Sequence, residues 1–284
     1  KDLSKLENIY NAMVLGLKDY VLKNKFPSVV IGLSGGIDSA LTAAVATDAL
    51  GADNVLCVMM PSPYTSNESI EDAKLLAKNF DIRIESIDIS ESFSRVKDSL
   101  SSIFKDKAVD LTEENMQSRL RGLILMSLSN KFGSMVVTTG NKSEVSVGYA
   151  TLYGDMCGGY SVLKDIYKTT VNELCMWRNK NNISCSLGPV GEVIPQRIIN
   201  KPPTAELRPN QKDEDSLPPY PLLDAILKGF IENEMSISSL IKEGYNDEVV
   251  RGIWRLLRNS EYKRRQSAPG VKISNIAFGR DANL

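Results

Sequence analysis

Between Val29 and Leu50 an apolar, β-branched run, VVIGL, breaks at the turn Ser34-Gly35-Gly36 and gives way at once to Ile37-Asp38-Ser39 and an alanine-rich stretch. A strand that hands over to a helix through adjacent glycines leaves few architectures open, because such a unit is at home in a mostly parallel sheet with both faces covered. The turn itself reads as an anion cradle. Gly35 and Gly36 admit backbone conformations closed to other residues, and successive amides with the N-terminus of a helix Asp38–Leu50 attract negative charge. Ser34 and Ser39 add hydroxyl donors. Asp38 adds a carboxylate that repels phosphate unless a cation lies between them, which predicts magnesium. The loop lacks the lysine of GxxxxGK[ST] and the spacing of GxGxxG, so a different phosphate chemistry is implied.

The 284 residues suffice for one α/β domain with appendages. No apolar run approaches the roughly eighteen residues of a membrane span, and a net charge of −1 argues against a general nucleic-acid binder. Cys57, Cys157, Cys175 and Cys185 form no CxxC pair and the chain has no histidine. Zinc is therefore disfavoured, imidazole acid–base catalysis is ruled out, and a reduced, cytoplasmic setting is expected. The chain starts at Lys1 with no signal peptide, as expected of a piece of a longer polypeptide.

Leu3, Leu6, Ile9, Tyr10, Met13, Leu17, Tyr20 and Val21 recur at helical spacing and predict an amphipathic helix ahead of the first strand. Val29–Leu33, Val55–Met60 and Ile82–Ile87 read as short buried strands, alternating with helices at Asp38–Leu50 and Ser69–Phe80. Helices near Ser90–Ile103 and Thr112–Lys131 and a strand Met135–Thr139 continue the pattern, giving a doubly wound sheet with right-handed crossovers. Ser34–Ser39, Pro61–Thr65 and Thr139–Glu144 each follow a predicted strand, so they should converge on one crevice beyond its carboxyl edge. A glycine-rich loop, Gly148–Tyr160, precedes a helix Lys168–Arg178. Six prolines and a charged run, Lys212–Asp215, leave residues 200–221 without a regular element: a lid over the site, or else a linker. Helices at Leu222–Asn233, Ser236–Glu243 and Asp247–Asn259 then make a C-terminal helical region, residues 222–284, with a basic cluster at Lys263-Arg264-Arg265.

SGGxDS resembles the pyrophosphate loop of the N-type ATP pyrophosphatases, which cleave ATP between its α and β phosphates to activate a carboxylate or carbonyl. Further motifs narrow the resemblance to the NAD synthetases: Asn115-Met116-Gln117-Ser118-Arg119-Leu120-Arg121, Thr138-Thr139-Gly140-Asn141-Lys142-Ser143-Glu144, Gly148-Tyr149-Ala150-Thr151-Leu152-Tyr153-Gly154-Asp155, Tyr167-Lys168-Thr169, Pro203-Thr204-Ala205-Glu206-Leu207-Arg208-Pro209 with Gln211, Asp213 and Glu214, and Lys263-Arg264-Arg265-Gln266. They occur in the family's order and cover nearly the whole chain.

The resemblance implies an adenine nucleotide alpha hydrolase-like α/β fold and ATP-dependent amidation of deamido-NAD through an adenylated nicotinate carboxylate. It assigns ATP to Gly32, Leu33, Ser34, Gly35, Gly36, Ile37, Asp38, Ser39, Arg121, Thr139, Lys168 and Thr204. Deamido-NAD falls to Asn115, Arg119, Glu144, Tyr149, Tyr153, Asp155 and Lys263. Asp38, Lys168, Thr204 and Asp155 would carry the chemistry, with Asp38 and Glu144 on Mg2+. Helical spacing agrees, since Asn115 and Arg119 share a face while Arg121 points elsewhere. A lysine at a helix start, such as Lys168, opposes the dipole, which favours a functional role over a surface one. For Tyr149 and Tyr153 a place in the core remains open, and for the Lys263 cluster a solvated face.

Two departures mark the chain. Gly159 stands where small ammonia-dependent relatives carry a second acid, and Tyr262 where they carry a histidine. GLSGGIDSA, VMMPSPYTS and YGDMCGGY look more like the synthetase domain of the glutamine-dependent branch, whose upstream glutaminase is absent here. Ammonia is thus the expected nitrogen donor and a homodimer the expected assembly. A GMP synthetase-like or tRNA-modifying pyrophosphatase should lack TGNKSE; a nucleotide-binding module without turnover would keep the crevice alone.

Overall fold

The computed structural model describes residues 4–105, 107–181, 183 and 186–281; Leu3 and Cys185, invoked above, lie outside the described residues. The first helix, α1 (Lys5–Lys23), opens on a capping box in which Ser4 and Glu7 satisfy each other's backbone amides. It buries Tyr10, Met13, Leu17 and Val21. Strand β1 (Val29–Gly32) and helix α2 (Ile37–Leu50) follow, then β2 (Val55–Met59), α3 (Asn67–Phe80), β3 (Arg83–Ser86), α4 (Ser90–Phe104), α5 (Leu111–Phe132) and β4 (Met135–Thr138).

Among the described residues five strands, all parallel, lie in the order β3-β2-β1-β4-β5, the last being the two-residue Tyr160–Ser161. Val29 faces Val55 on one side and Met135 on the other, so β1 is the central strand. The strand order reverses between β1 and β4, and a ligand crevice opens where the loops leaving them diverge. Val29, Ile31 and Leu33 point to one face, packed on α1, α2, α3 and α7 (Lys168–Lys180). Val30, Val58 and Val136 point to the other, against Leu125 and Leu128 of α5. Truncating such a fully buried side chain, as in Ile31→Ala, costs about 2–5 kcal/mol. β3 is the correction: its Arg83, Glu85 and Ser86 are exposed rather than buried, because it closes one edge of the sheet, where Arg83 and Glu85 pair at 2.7 Å.

After β4, Asn141 caps a short helix, α6 (Lys142–Val147), where the sequence reads as a loop through Glu144. Another short helix, α8 (Gln196–Asn200), ends just before the proline-rich segment. Between residues 201 and 219 the chain has no regular element except a 3-10 turn at Asp213–Asp215. The C-terminal helices α9 (Tyr220–Ile231), α10 (Ile237–Lys242), α11 (Asp247–Asn259) and α12 (Glu261–Arg264) build a second apolar cluster around Leu223, Leu227, Val250 and Ile253.

The residues after α12 then double back as a strap. Pro269 O accepts from Ser161 N at 2.8 Å, and Asp165 accepts from the amides of Ile273 (2.7 Å) and Ser274 (2.6 Å). Lys142, wholly buried at the head of α6, pairs with Asp165 at 2.8 Å and donates to Ser274 Oγ (2.7 Å) and Ile276 O (2.8 Å). A buried ammonium is tolerated only with such a full set of partners. No helix among the described residues is long and apolar enough to cross a membrane.

Candidate active site

Gly35 sits at φ +81°, and a Cβ there would lie 2.3 Å from the Ser69 carbonyl oxygen, so the turn and the start of α3 meet with no space for a side chain. Ser34 N and Oγ both meet Ser39 Oγ, at 3.2 and 3.1 Å, which folds the turn over the first residues of α2. Unlike α1, α3, α5 and α6, α2 begins without a side-chain cap, its cap residue being Gly36. Its leading amides therefore point at the crevice, the arrangement that favours an anion.

Asp38, one residue into α2, is bracketed from two sides. Asn141 Nδ2 donates to its Oδ1 at 2.9 Å and the Lys168 ammonium pairs with its Oδ2. The same ammonium reaches Glu144 Oε1 at 3.3 Å. Two carboxylates thus share one cation, although Asp38 comes from α2 and Glu144 from α6. Burial and the negative charge of Asp38 push the Glu144 carboxyl upward. Burial alone would lower Lys168, but Asp38 and Glu144 outweigh it and hold the ammonium charged. Lys168 is buried, not a surface residue.

Two adjoining cavities, of about 260 and 160 Å³, have Ser34, Asp38, Glu144, Tyr149, Asp155 and Thr204 on both their walls. The first turn of α2 supplies Ser39 to the larger one, and the loops after β2 and β4 supply Pro61, Thr65, Thr139 and Gly140, beside Gly32 and Leu33. Gly36, Ile37 and Lys168 line the smaller, whereas Gly35 faces Ser69. Arg121 lines the larger cavity and donates through Nε to Met60 O at 3.0 Å; burial brings its guanidinium down to about 10. Thr204 lies opposite, its hydroxyl donating to Gln211 O at 2.6 Å.

Residues 201–213 close this side of the crevice through polar contacts. Glu206, at φ +50°, accepts from Ser66 Oγ and Ser69 Oγ, both at 2.8 Å, and pairs with Lys201 at 2.9 Å. Asp213 accepts from Tyr220 OH at 2.8 Å and Tyr149 OH at 3.3 Å, and burial raises its carboxyl.

Asn115, Arg119, Tyr153 and Lys263 line neither cavity and gather instead on the outer side of the loop 148–156. Asn115 Oδ1 accepts from Thr151 Oγ1 at 2.7 Å, and Arg119 Nε donates to Leu152 O at 3.2 Å. Lys263 donates to Gly148 O and Ala150 O, each at 2.7 Å, so it is half-buried rather than solvated, and Arg264 beside it is buried. Tyr153, at φ +63°, is exposed, and its hydroxyl donates to Gln266 at 3.1 Å. Asp155 joins the two groups: Oδ1 accepts from Thr151 N at 2.7 Å while the residue borders both cavities. Gly159 packs on the sheet, where a Cβ would come within 2.9 Å of Met135 Cγ, so a side chain at this position requires Met135 to move.

Sequence reasoning passes over Asn141, Lys201, Glu206 and Asp213 as site residues. Asn141 is detectable, because Asn-x-x-Glu is a capping box and places both residues at a helix start. Lys201 carries no local signal, since its partners Ser69 and Glu206 are joined to it only by the fold.

The sequence profile described as NAD synthase matches residues 9–267. A glutamine-dependent NAD(+) synthetase of Rhodobacter capsulatus is 54% identical over 276 residues, 97% of this chain and 50% of the relative. The structure of glutamine-dependent NAD+ synthetase from Acinetobacter baumannii in complex with ADP superposes with a TM-score of 0.68 at 45% identity, covering 99% of this chain and 49% of that one. NMN synthetase from Francisella tularensis superposes at 0.75 and 25% identity, covering 93% and 97%. The chain thus spans about half the length of its glutamine-dependent relatives. With the glycine turn, the shared cation and the profile match in agreement, this chain belongs to the NAD synthase family.

Proposed function

We propose that this chain catalyses ATP-dependent amidation of deamido-NAD, with ammonia as the nitrogen donor. The observation that carries the reading is the convergence of Asp38, Glu144 and Lys168 on one point beside an uncapped helix start. Triphosphate anions placed there meet amides, hydroxyls and an ammonium that are already oriented. Arg121 and Thr139 serve ATP from the wall of the larger cavity. The loop 148–156, with Asn115, Arg119 and Lys263 behind it, receives the dinucleotide, Tyr149 offering its ring to the pyridine from the cavity wall.

The nicotinate carboxylate oxygen attacks the α-phosphorus, the bond to the β-phosphate bridging oxygen breaks, and pyrophosphate leaves. Lys168, Ser34 and Ser39 receive the charge that builds on it, and Thr204 contributes once its hydroxyl turns from Gln211. Ammonia then attacks the acyl carbon, gives up a proton, and displaces AMP; Asp155, at the border of both cavities, is placed to take that proton. Alignment in a closed crevice supplies most of the acceleration, which suits a chain without histidine. Asp38 and Glu144 fit a magnesium ion, because their hard carboxylate oxygens flank the cradle. Bound there with phosphate oxygens and water, it would neutralise the leaving group. Residues 201–213 act as the lid, and two copies pair as a homodimer.

The test is AMP release by the purified chain. AMP should appear in step with NAD only when ATP, deamido-NAD and ammonium are all present, and glutamine should not replace ammonium. AMP released equally with the nicotinate mononucleotide would instead align the chain with the NMN synthetase; release without any pyridine acid would overturn the reading. Asp38→Ala should lower turnover by about 100-fold or more while the protein stays folded.

A further inference from the structure

Helices α2 and α7 are joined by ion pairs at both ends. Asp38 meets Lys168 at their first turns, and Asp48 meets Arg178 ten residues further along each helix, 38 to 48 and 168 to 178. Matched spacing on both partners means that the helices run in the same direction and keep register over about 15 Å. Among the described residues these are the two ion pairs linking α2 to α7.

The far pair is built to hold a fixed geometry. Arg178 is forked on the carboxylate, Nε to Oδ2 at 2.7 Å and Nη2 to Oδ1 at 2.9 Å. Tyr10 OH donates to Oδ2 and Ser186 Oγ to Oδ1, each at 2.6 Å, so both oxygens are doubly engaged. Nη2 also donates to Pro189 O at 2.7 Å, and a Cβ on Gly188 would fall 2.2 Å from Asp48 Oδ1. Asp48 and Arg178 are buried. A forked pair fixes rotation as well as axial position, which a lysine pivoting on one carboxylate cannot do.

The near pair needs that constraint. Lys168 stands at the positive end of its own helix, so its ammonium depends on where Asp38 lies. The backbone amides of the first turn of α7, Lys168 N to Ser143 Oγ and Thr169 N to Asp224 Oδ2 at 2.9 Å each, tie it to α6 and α9, leaving the Lys168 side chain to meet α2 through Asp38. A slip of one residue would move the lysine by about 1.5 Å and turn it by about 100°. We propose that Asp48 and Arg178 are positioning residues of the synthetase reaction: they set the register of α7 on α2 and thereby seat the Lys168 ammonium on Asp38 at the phosphate cradle. This rests on the reading that Lys168 and Asp38 serve ATP.

A double-mutant cycle on the whole chain tests it, with Arg178→Lys, Lys168→Met and both together, and with ATP affinity measured by calorimetry on samples shown to be folded. Arg178→Lys keeps the buried charge and removes the fork. It should weaken ATP about tenfold alone and less than about twofold in the Lys168→Met background, whereas sites this far apart ordinarily add. In turnover, KM for ATP should rise and kcat fall with KM for deamido-NAD unchanged; general loosening of the fold would move both substrates alike. Additive effects, or equal changes for both substrates, overturn the proposal. If Lys168→Met leaves ATP affinity unchanged, the reading of the site itself fails instead. Should Arg178→Lys not fold, Asp48→Asn, or Tyr10→Phe with Ser186→Ala, enters the same cycle, where coupling to Lys168→Met supports the proposal and additivity overturns it.

Discussion

Gly35 shows how little room the cradle leaves. Its positive φ and the 2.3 Å that would separate an added methyl from Ser69 O act together, so Gly35→Ala must move either the turn or the head of α3. Strain of this kind costs about 1–3 kcal/mol before any clash is counted. The expected outcome is a lower melting temperature and a loss of ATP affinity larger than that of deamido-NAD, read from thermal melts and titrations. A variant as stable and as tight as the parent would show that the glycine is not needed. Gly159 is the opposite case: the atoms an added methyl would meet first belong to the flexible Met135 side chain, so a side chain there displaces Met135 rather than backbone.

At the scale of elements, the segment 201–213 is held by charge and hydroxyl contacts rather than by apolar burial. Partial burial tends to raise the Glu206 carboxyl, but its bonds from Lys201, Ser69 and Ser66 prevail and keep it below the usual carboxylate range. A group depressed in this way stabilises the closed segment above its unfolded pKa and loses that effect as pH falls through the folded one. Hydrogen exchange at residues 204–207, corrected for intrinsic rates, should therefore speed up on acidification below the carboxylate range. Glu206→Gln should remove that acid limb and exchange faster at neutral pH; an unchanged profile would free Glu206 from this role. The elements legible in the sequence are those with a repeating cause. β1, β2 and β4 are unbroken apolar runs, and α1 and α11 carry one-sided apolar stripes. α6 and β5 are not, being six and two residues long, too short for any period to show. The 201–213 segment has no period either, because its order comes from Lys201, Glu206 and Gln211 finding partners on α3 and α5. Asp38, Glu144 and Lys168 can be named from motifs, and the sequence already brings the two carboxylates to one crevice, but their sharing of the Lys168 ammonium is a property of topology that appears once α7 lies beside them.

For the whole molecule, the apolar side chains Leu123, Met126 and Phe132 of α5 are exposed, as is Tyr153 in the loop proposed to take the dinucleotide. A second copy packed along α5 would cover the first three. Sedimentation should give twice the 31.3 kDa chain mass, and a fully active monomer would remove the dimer from the account.

The strap that runs back along β5 also orders events in time. Lys142 pairs with Asp165 and Glu232 but finds its last partners on Ser274 and Ile276, so a growing polypeptide that has not yet passed residue 276 leaves the buried ammonium two acceptors short at the head of α6. Asn141 and Glu144 ride on that helix. A polypeptide interrupted before residue 276 is therefore expected to form its sheet while holding the Asn141 and Glu144 side of the crevice less firmly.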